Sequence, residues 1–433
     1  MWELPTKRKM NCWLDDVLLG TVVWYLTGMV MFLGFSLGFQ FLVRSHNAAP
    51  PDAGFLGAFA IYDGFSYKRV VEEGYEFNPK AQSNIAFFPV YPLLARWVRA
   101  ATGLSTEAAL LLVSNASLLG AFILLARYLR ARFPTAQRAA GNTERPAAGD
   151  TAQPAARDTA PCRLVDATLV ALGLFPTGCF FRMCYTEAPF LLLIVAAMYG
   201  IQRRWPLWAV ISIVGLATAT RAAGVALLAP LAIHIWRSQP TKAARAWRLA
   251  FWLPLACWGL AGFMAFQYVE FGDPLACAHA HGQWRIRPAL ALPDKAAALA
   301  TFEPLRAVYD PRSPAYWKAF DRHGTPWFSL AFANPIFLVA ALALLALGVW
   351  KRWITPGETW LGALMLLIPY LSRAHEMGMG SMGRFVSVVF PIYLVLGQIA
   401  TRLPFAVGTS LFAVAAFYLA VYSALFAAGY LIF

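Results

Sequence analysis

A chain of 433 residues that is 59% hydrophobic and only 13% charged, with a mean hydropathy of +0.55, carries about half the charge expected of a soluble domain. This composition excludes a water-soluble globular protein. The formal net charge is +14, but the basic residues are dispersed among the ends of apolar runs instead of lining one groove, which argues against nucleic acid as a partner.

Apolar runs of a length suited to crossing the hydrocarbon layer recur along the chain. They cover 17–43, 106–129, 164–181, 187–202, 206–220, 222–237, 249–270, 329–350, 358–372, 385–401 and 405–431, which predicts about eleven transmembrane helices. The expected fold is an all-α, polytopic integral membrane protein forming a single domain over 1–433. The first run has no convincing small-residue cleavage site after it and reads as an uncleaved signal-anchor. Lys and Arg near span ends set orientation. With the N-terminus inside, TKRK (6–9), RYLRAR (127–132), QRR (202–204), WRSQPTKAARAWR (236–248), KR (351–352) and Arg402 all fall on the cytoplasmic side.

Three segments lie outside the apolar runs. Residues 133–163 are rich in Ala, Pro, Thr, Arg and Gly without aliphatic periodicity, which predicts a flexible cytoplasmic linker. Residues 44–105 and 271–328 fall on the outer face and are far longer than a connection requires.

In the first outer segment, Tyr67, Val70, Val71 and Gly74/Tyr75 follow helical spacing, with Lys68, Arg69, Glu72, Glu73 and Glu76 opposite. This predicts a short amphipathic helix on the membrane surface, starting at Asp63 or Gly64 and stopping at Gly74. The following FFPVYP is expected to break the backbone at Pro89 and Pro92, with its aromatics in the interfacial belt. The second outer segment opens on an Asp-Pro turn, then two histidines at i, i+2 and a tryptophan, FGDPLACAHAHGQW.

Ionisable residues in apolar context gather on the outer side: Asp63, Glu187, Arg221, Asp273, His279, His281 and Arg384. Charges at such depth are costly and face a cavity or one another, so this coincidence predicts one external pocket. Singly, each has a plainer reading. Asp63 or Glu187 can serve a helix N-terminus, Arg221 can be a loop residue, and Arg384 a snorkelling anchor. The two histidines are too few for a zinc site, and the six cysteines, Cys12, Cys162, Cys179, Cys184, Cys257 and Cys277, lack ligand spacing and read as small hydrophobes. Neither a metal nor another cofactor is expected.

The ordered segments YDGFSYKRVVEEGY, AFFPVYPLLAR, LGLFPTGCFFRMCYTEAPFLLL, ATRAAGVALL, DPLACAHAHGQW and SMGRFVSVVFPIYLVLG, spread over about 55–400, resemble the PIG-V type family. Its eukaryotic members add the second mannose in glycosylphosphatidylinositol assembly, and it has many bacterial relatives. The resemblance implies a GT-C type helical bundle in the cell inner membrane, with its active site on the extracytoplasmic face. It also implies a polyprenyl-phosphate sugar as donor and a lipid or glycan as acceptor.

Matched position by position, the resemblance places the family's Trp-Asp on Tyr62-Asp63 and its aromatic-Pro motif on Phe87, Phe88, Pro89, Tyr91 and Pro92. Its Tyr-(Ser/Thr)-Glu falls on Tyr185, Thr186 and Glu187, its Thr-Arg turn on Thr220-Arg221, its Asp-Pro-Leu-Ala on 273–276, and its late Arg on Arg384. Tyr62 stands where Trp is usual, TRAAG lacks an Asn before its Gly, His281 stands where Gln is common, and Gly383 stands where Pro is usual.

The implied chemistry is transfer of a hexose, mannose by resemblance, through inverting displacement. It requires a base for the acceptor hydroxyl and cations for the departing phosphate. Asp63 is the expected base and Arg221 and Arg384 the expected phosphate ligands, with Lys68 and Arg69 behind them. Tyr62, Tyr67, Phe88, Tyr91, Glu187, Asp273, His279, His281 and Trp284 are the expected substrate contacts. The alternative from another class is a transporter or flippase of lipid-linked sugars, whose marks would be internal repeats and midplane charges; no clear repeat is evident.

Overall fold

The computed structural model describes residues 7–133, 160–321 and 324–430. The expected linker over 133–163 therefore lies outside the described residues except at its ends. Among the described residues the secondary structure is entirely helical, and every apolar run becomes helix, although many of these helices are short. Among the described residues four helices can cross a membrane by length and composition: Trp13–Phe41, Thr106–Arg132, Leu330–Trp350 and Phe405–Ala427. Two bent pairs raise that number to six, Arg163–Gly173 with Pro176–Arg182 at 77° and Lys242–Ala256 with Trp258–Phe271 at 49°. Length and composition thus support fewer crossings than the eleven apolar runs suggest. Proline explains the bends, because Pro176 opens the second piece of one pair and Pro254 removes a backbone donor just before the break in the other.

Leu18, Leu26, Leu33 and Leu37 on helix Lys7–Phe41 are more than half exposed, as are Leu411, Val414 and Phe417 on helix Phe405–Ala427. Apolar surface on this scale suits lipid, and with the helix lengths it marks a multi-pass membrane protein. These two helices pack along each other through Gly34 and Gly38, where a Cβ would overlap the backbone carbonyls of Ala420 and Ala424. Small residues four apart allow such close backbone approach. Gly38→Val is therefore expected to cost about 1–3 kcal/mol or more by overpacking against a carbonyl that has nowhere to go. Gly262→Ala, with open space around its Cβ, is the control; thermal unfolding in detergent should separate the two, and equal melting would refute the close-packing account.

Helix Asp63–Glu72 matches its expected limits and buries Gly64, Tyr67, Val70 and Val71, with Gly74 at φ +90° just beyond its end. Its apolar face, however, meets protein and not the membrane surface: Tyr67 packs edge-on against Phe87 and Tyr91, each at 5.0 Å. FFPVYP also departs from expectation. Pro89 sits at the N-cap of helix Val90–Thr102 and Pro92 in its first turn, where a missing N–H breaks no helical bond. Phe87, Phe88 and Tyr91 are buried, so they form core instead of an interfacial belt. Helix Val90–Thr102 itself is the amphipathic surface helix, with Leu93, Leu94 and Trp97 exposed and Tyr91, Pro92 and Ala95 buried.

Candidate functional site

Two apolar clusters form the core, and a group of charges lies where they meet. Phe180, Tyr185 and Tyr67 belong to one cluster; Phe190 and Phe385 belong to the other. Asp63 enters in the first turn of its helix, Glu187 begins helix Glu187–Gln202, Arg221 precedes the 3-10 turn Ala222–Leu227, and Arg384 lies on the short helix Met382–Ser387. Four distant stretches of sequence are thereby brought to one point.

The backbone on either side of this point is held in uncommon conformations. Tyr62 has φ +56°, and Met379 and Ser381 have φ +63° and +64°, each costing on the order of 1–3 kcal/mol for a residue with a side chain. Tyr62 is fixed by its hydroxyl, which donates to Gly429 O at 2.7 Å, and by edge contact with Phe426. The Gly383 N–H donates to Asn334 Oδ1 at 2.7 Å, while Thr177 Oγ1 donates to Gly383 O at 2.8 Å. A proline at 383 would have no N–H for Asn334.

The charged groups form a chain. Arg384 Nη1 donates to Asp63 Oδ2 at 2.7 Å, Arg384 Nε stands 2.9 Å from Glu187 Oε1, and Arg221 Nη1 donates to the same Glu187 oxygen at 2.5 Å. Exposure grades along it. The Glu187 side chain is 1% exposed, Arg384 8%, Arg221 13% and Asp63 27%. Asp63 is therefore the accessible end, and its carboxylate caps no backbone N–H, so the plain capping reading fails. Aromatic faces surround the guanidinium groups, with Arg384 5.2 Å from the Tyr185 ring centroid and Arg221 5.3 Å from that of Phe385.

The other expected residues divide into two sets. Tyr67 adjoins the cluster, its hydroxyl donating to Thr186 Oγ1 at 3.3 Å, and Trp284 makes ring contacts with His281 and with Phe87, which packs on Tyr67. His281 is half-buried on helix Ala276–His281, where desolvation pushes its pKa down to about 4. Its Nδ1–H donates to Cys277 O at 2.8 Å, a bond that favours the charged ring and is outweighed by desolvation.

The remaining residues are committed elsewhere. Phe88 packs on Phe263, and the Tyr91 hydroxyl bonds Leu110 O and Ser114 in the core. Asp273 pairs with exposed His279 at 2.6 Å, and that hydrogen bond holds its carboxyl below the usual range. Lys68 pairs with Glu107 at 2.6 Å, and Arg69 with Glu73 and Glu76 on the surface. An exposed pair of this kind contributes about 0–1 kcal/mol. Arg69→Ala is accordingly expected to leave both melting temperature and any catalytic rate close to wild type; a large loss of rate would return Arg69 to the site.

One further cation, which no motif in the sequence marks, belongs to the cluster. Arg373, the last residue of helix Pro356–Arg373, lies 5.9 Å from the Phe385 ring centroid, within electrostatic range of Asp63, Arg221 and Arg384. Three guanidinium groups thus flank one phenylalanine. Its neighbours His375 and Glu376 make YLSRAHEMG look like an ordinary polar span end, and only the fold carries Arg373 inward.

No known family's profile matches the sequence, and no curated protein matches it. The resemblance to the PIG-V type family therefore rests on the ordered motifs alone. Solved structures do align with the fold. A crystal structure of the Archaeoglobus fulgidus oligosaccharyltransferase with Zn and sulfate is 12% identical with a TM-score of 0.44, covering 95% of this chain and 53% of that one. Its apo form aligns with a TM-score of 0.43 at 12% identity, covering 95% and 56%. The archaeal oligosaccharyltransferase AglB from Archaeoglobus fulgidus, in complex with an inhibitory peptide and a dolichol-phosphate, aligns with a TM-score of 0.40 at 12% identity, covering 94% and 56%. The chain spans about half the length of these proteins.

Proposed function

We propose that this protein is a GT-C type membrane glycosyltransferase of the PIG-V kind, transferring a hexose, mannose by motif resemblance, from a polyprenyl-phosphate donor to a lipid or glycan acceptor. The observation that carries the reading is the convergence of Asp63, Arg384, Glu187 and Arg221 from four distant motifs, with the carboxylate of Asp63 at the accessible end. We place the reaction on the extracytoplasmic face of the inner membrane, on the strength of the Lys and Arg bias of the short loops.

The chemistry uses this chain's residues in sequence. Asp63 takes the proton of the acceptor hydroxyl, whose oxygen attacks the anomeric carbon with inversion. As that bond forms, the bond from the anomeric carbon to the phosphate oxygen breaks and its electron pair leaves on the phosphate. Arg384 orients Asp63 and, with the arginines beside it, supplies positive charge where the phosphate develops its own. Glu187 fixes Arg221 and Arg384 in place. Tyr62 and Tyr67, which flank Asp63 on its own segment, and Trp284, which contacts Phe87 and His281, are assigned to the sugar and acceptor.

Mass spectrometry of glycolipids and glycoproteins from a deletion strain tests the reading. Loss of a single hexose from one glycan is expected. A complete precursor accumulating on the inner leaflet would overturn it in favour of a flippase.

A further inference from the structure

We propose that Arg373 is the residue that receives the phosphate of the lipid-linked donor, a role distinct from those of Arg221 and Arg384; this rests on the glycosyl-transfer reading above. Arg221 and Arg384 are already committed, the first to Glu187 and the second to both Asp63 and Glu187. Arg373 faces the same Phe385 ring, yet among the described residues it donates no hydrogen bond and makes no ion pair. A plainer role for an arginine closing a helix is to bond the last carbonyls of that helix, and Arg373 bonds none of them.

Charge points the same way. Three guanidinium groups meet two carboxylates, so these five side chains together carry one positive charge in excess. A charge withdrawn from water and left unmatched is costly, which favours an anion as its partner. A sugar phosphodiester of a polyprenol carries a single negative charge, and its oxygens match the planar donor fork of arginine.

The surrounding chain holds Arg373 ready without engaging its side chain. Lys295 Nζ donates to Ser372 O at 3.4 Å and to Glu376 Oε1 at 2.7 Å, and the backbone N–H groups of Ile286 and Arg287 donate to Glu376 O at 2.9 and 3.1 Å. The segment on either side is pinned to the outer loop while the guanidinium keeps its donors for a ligand. Preorganisation of this kind is what an anion site requires.

The test compares binding of a polyprenyl phosphate with that of the uncharged polyprenol of equal length, using the full-length protein in nanodiscs. Wild type is expected to prefer the phosphate, and Arg373→Gln to lose roughly tenfold or more of that preference, the scale of one charge-assisted bond. Arg373→Lys should recover part of it. Removing an excess cation should leave the melting temperature unchanged or raised. A fall in melting temperature would make Arg373 a structural cation and overturn the proposal, as would undiminished preference in Arg373→Gln. If wild type itself shows no preference, the donor class under the proposed function falls as well, so the two failures are distinguishable.

Discussion

Asp63→Asn is expected to reduce hexose transfer by about 10²–10⁴-fold, the contribution of a positioned general base. The amide keeps the size of the carboxylate and an oxygen for Arg384 Nη1, which lies 2.7 Å away in the wild type, but it has no basic site for the acceptor proton. Arg384 also keeps its contact with Glu187, so little folding stability should be lost. Asp63→Glu keeps the base and displaces it by one methylene, and misplacement on that scale is expected to cost about 10²-fold. The measurement is the initial rate of hexose transfer from a polyprenyl-phosphate hexose into membranes of the deletion strain. A wild-type rate in Asp63→Asn would remove the base and with it the mechanism.

Helix Asp63–Glu72 and its charged face were legible because a 3.6-residue period and a terminal glycine are local signals. The gathering of Asp63, Glu187, Arg221 and Arg384 was legible for a similar reason: a charge inside an apolar run stands out wherever it occurs. Partners were not legible. The sequence marks Lys68 and Arg384 only as cations, and packing assigns one to Glu107 and the other to Asp63 and Glu187. Aromatics beside prolines fit either a lipid interface or a core, and the edge contacts of Tyr67 with Phe87 and Tyr91 decide for the core. Arg373 escaped because what sets it apart, a guanidinium drawn to the cluster with no ion pair among the described residues, is a property of the assembled site.

Glu187→Gln should act on stability before it acts on rate. Glu187 is buried and is the carboxylate shared by Arg221 and Arg384, so its neutralisation leaves Arg221 without its ion pair and Arg384 with Asp63 alone. Removing one partner from a buried ionic group costs about 3–5 kcal/mol, a large share of the roughly 5–15 kcal/mol that holds a folded protein together. The temperature of half-loss of the monomer peak in detergent should fall by roughly 5 °C or more, a scale set by the entropy of unfolding. Glu187→Gln combined with Arg221→Gln removes one charge of each sign, and the pair should recover much of the loss, since neighbouring charges do not contribute additively. Recovery in the double variant distinguishes an unmatched cation from a simple packing defect, for which the second substitution would only add damage. If Glu187→Gln melts with wild type, Arg221 and Arg384 do not depend on it for charge, and Asp63 would have to hold the cluster alone.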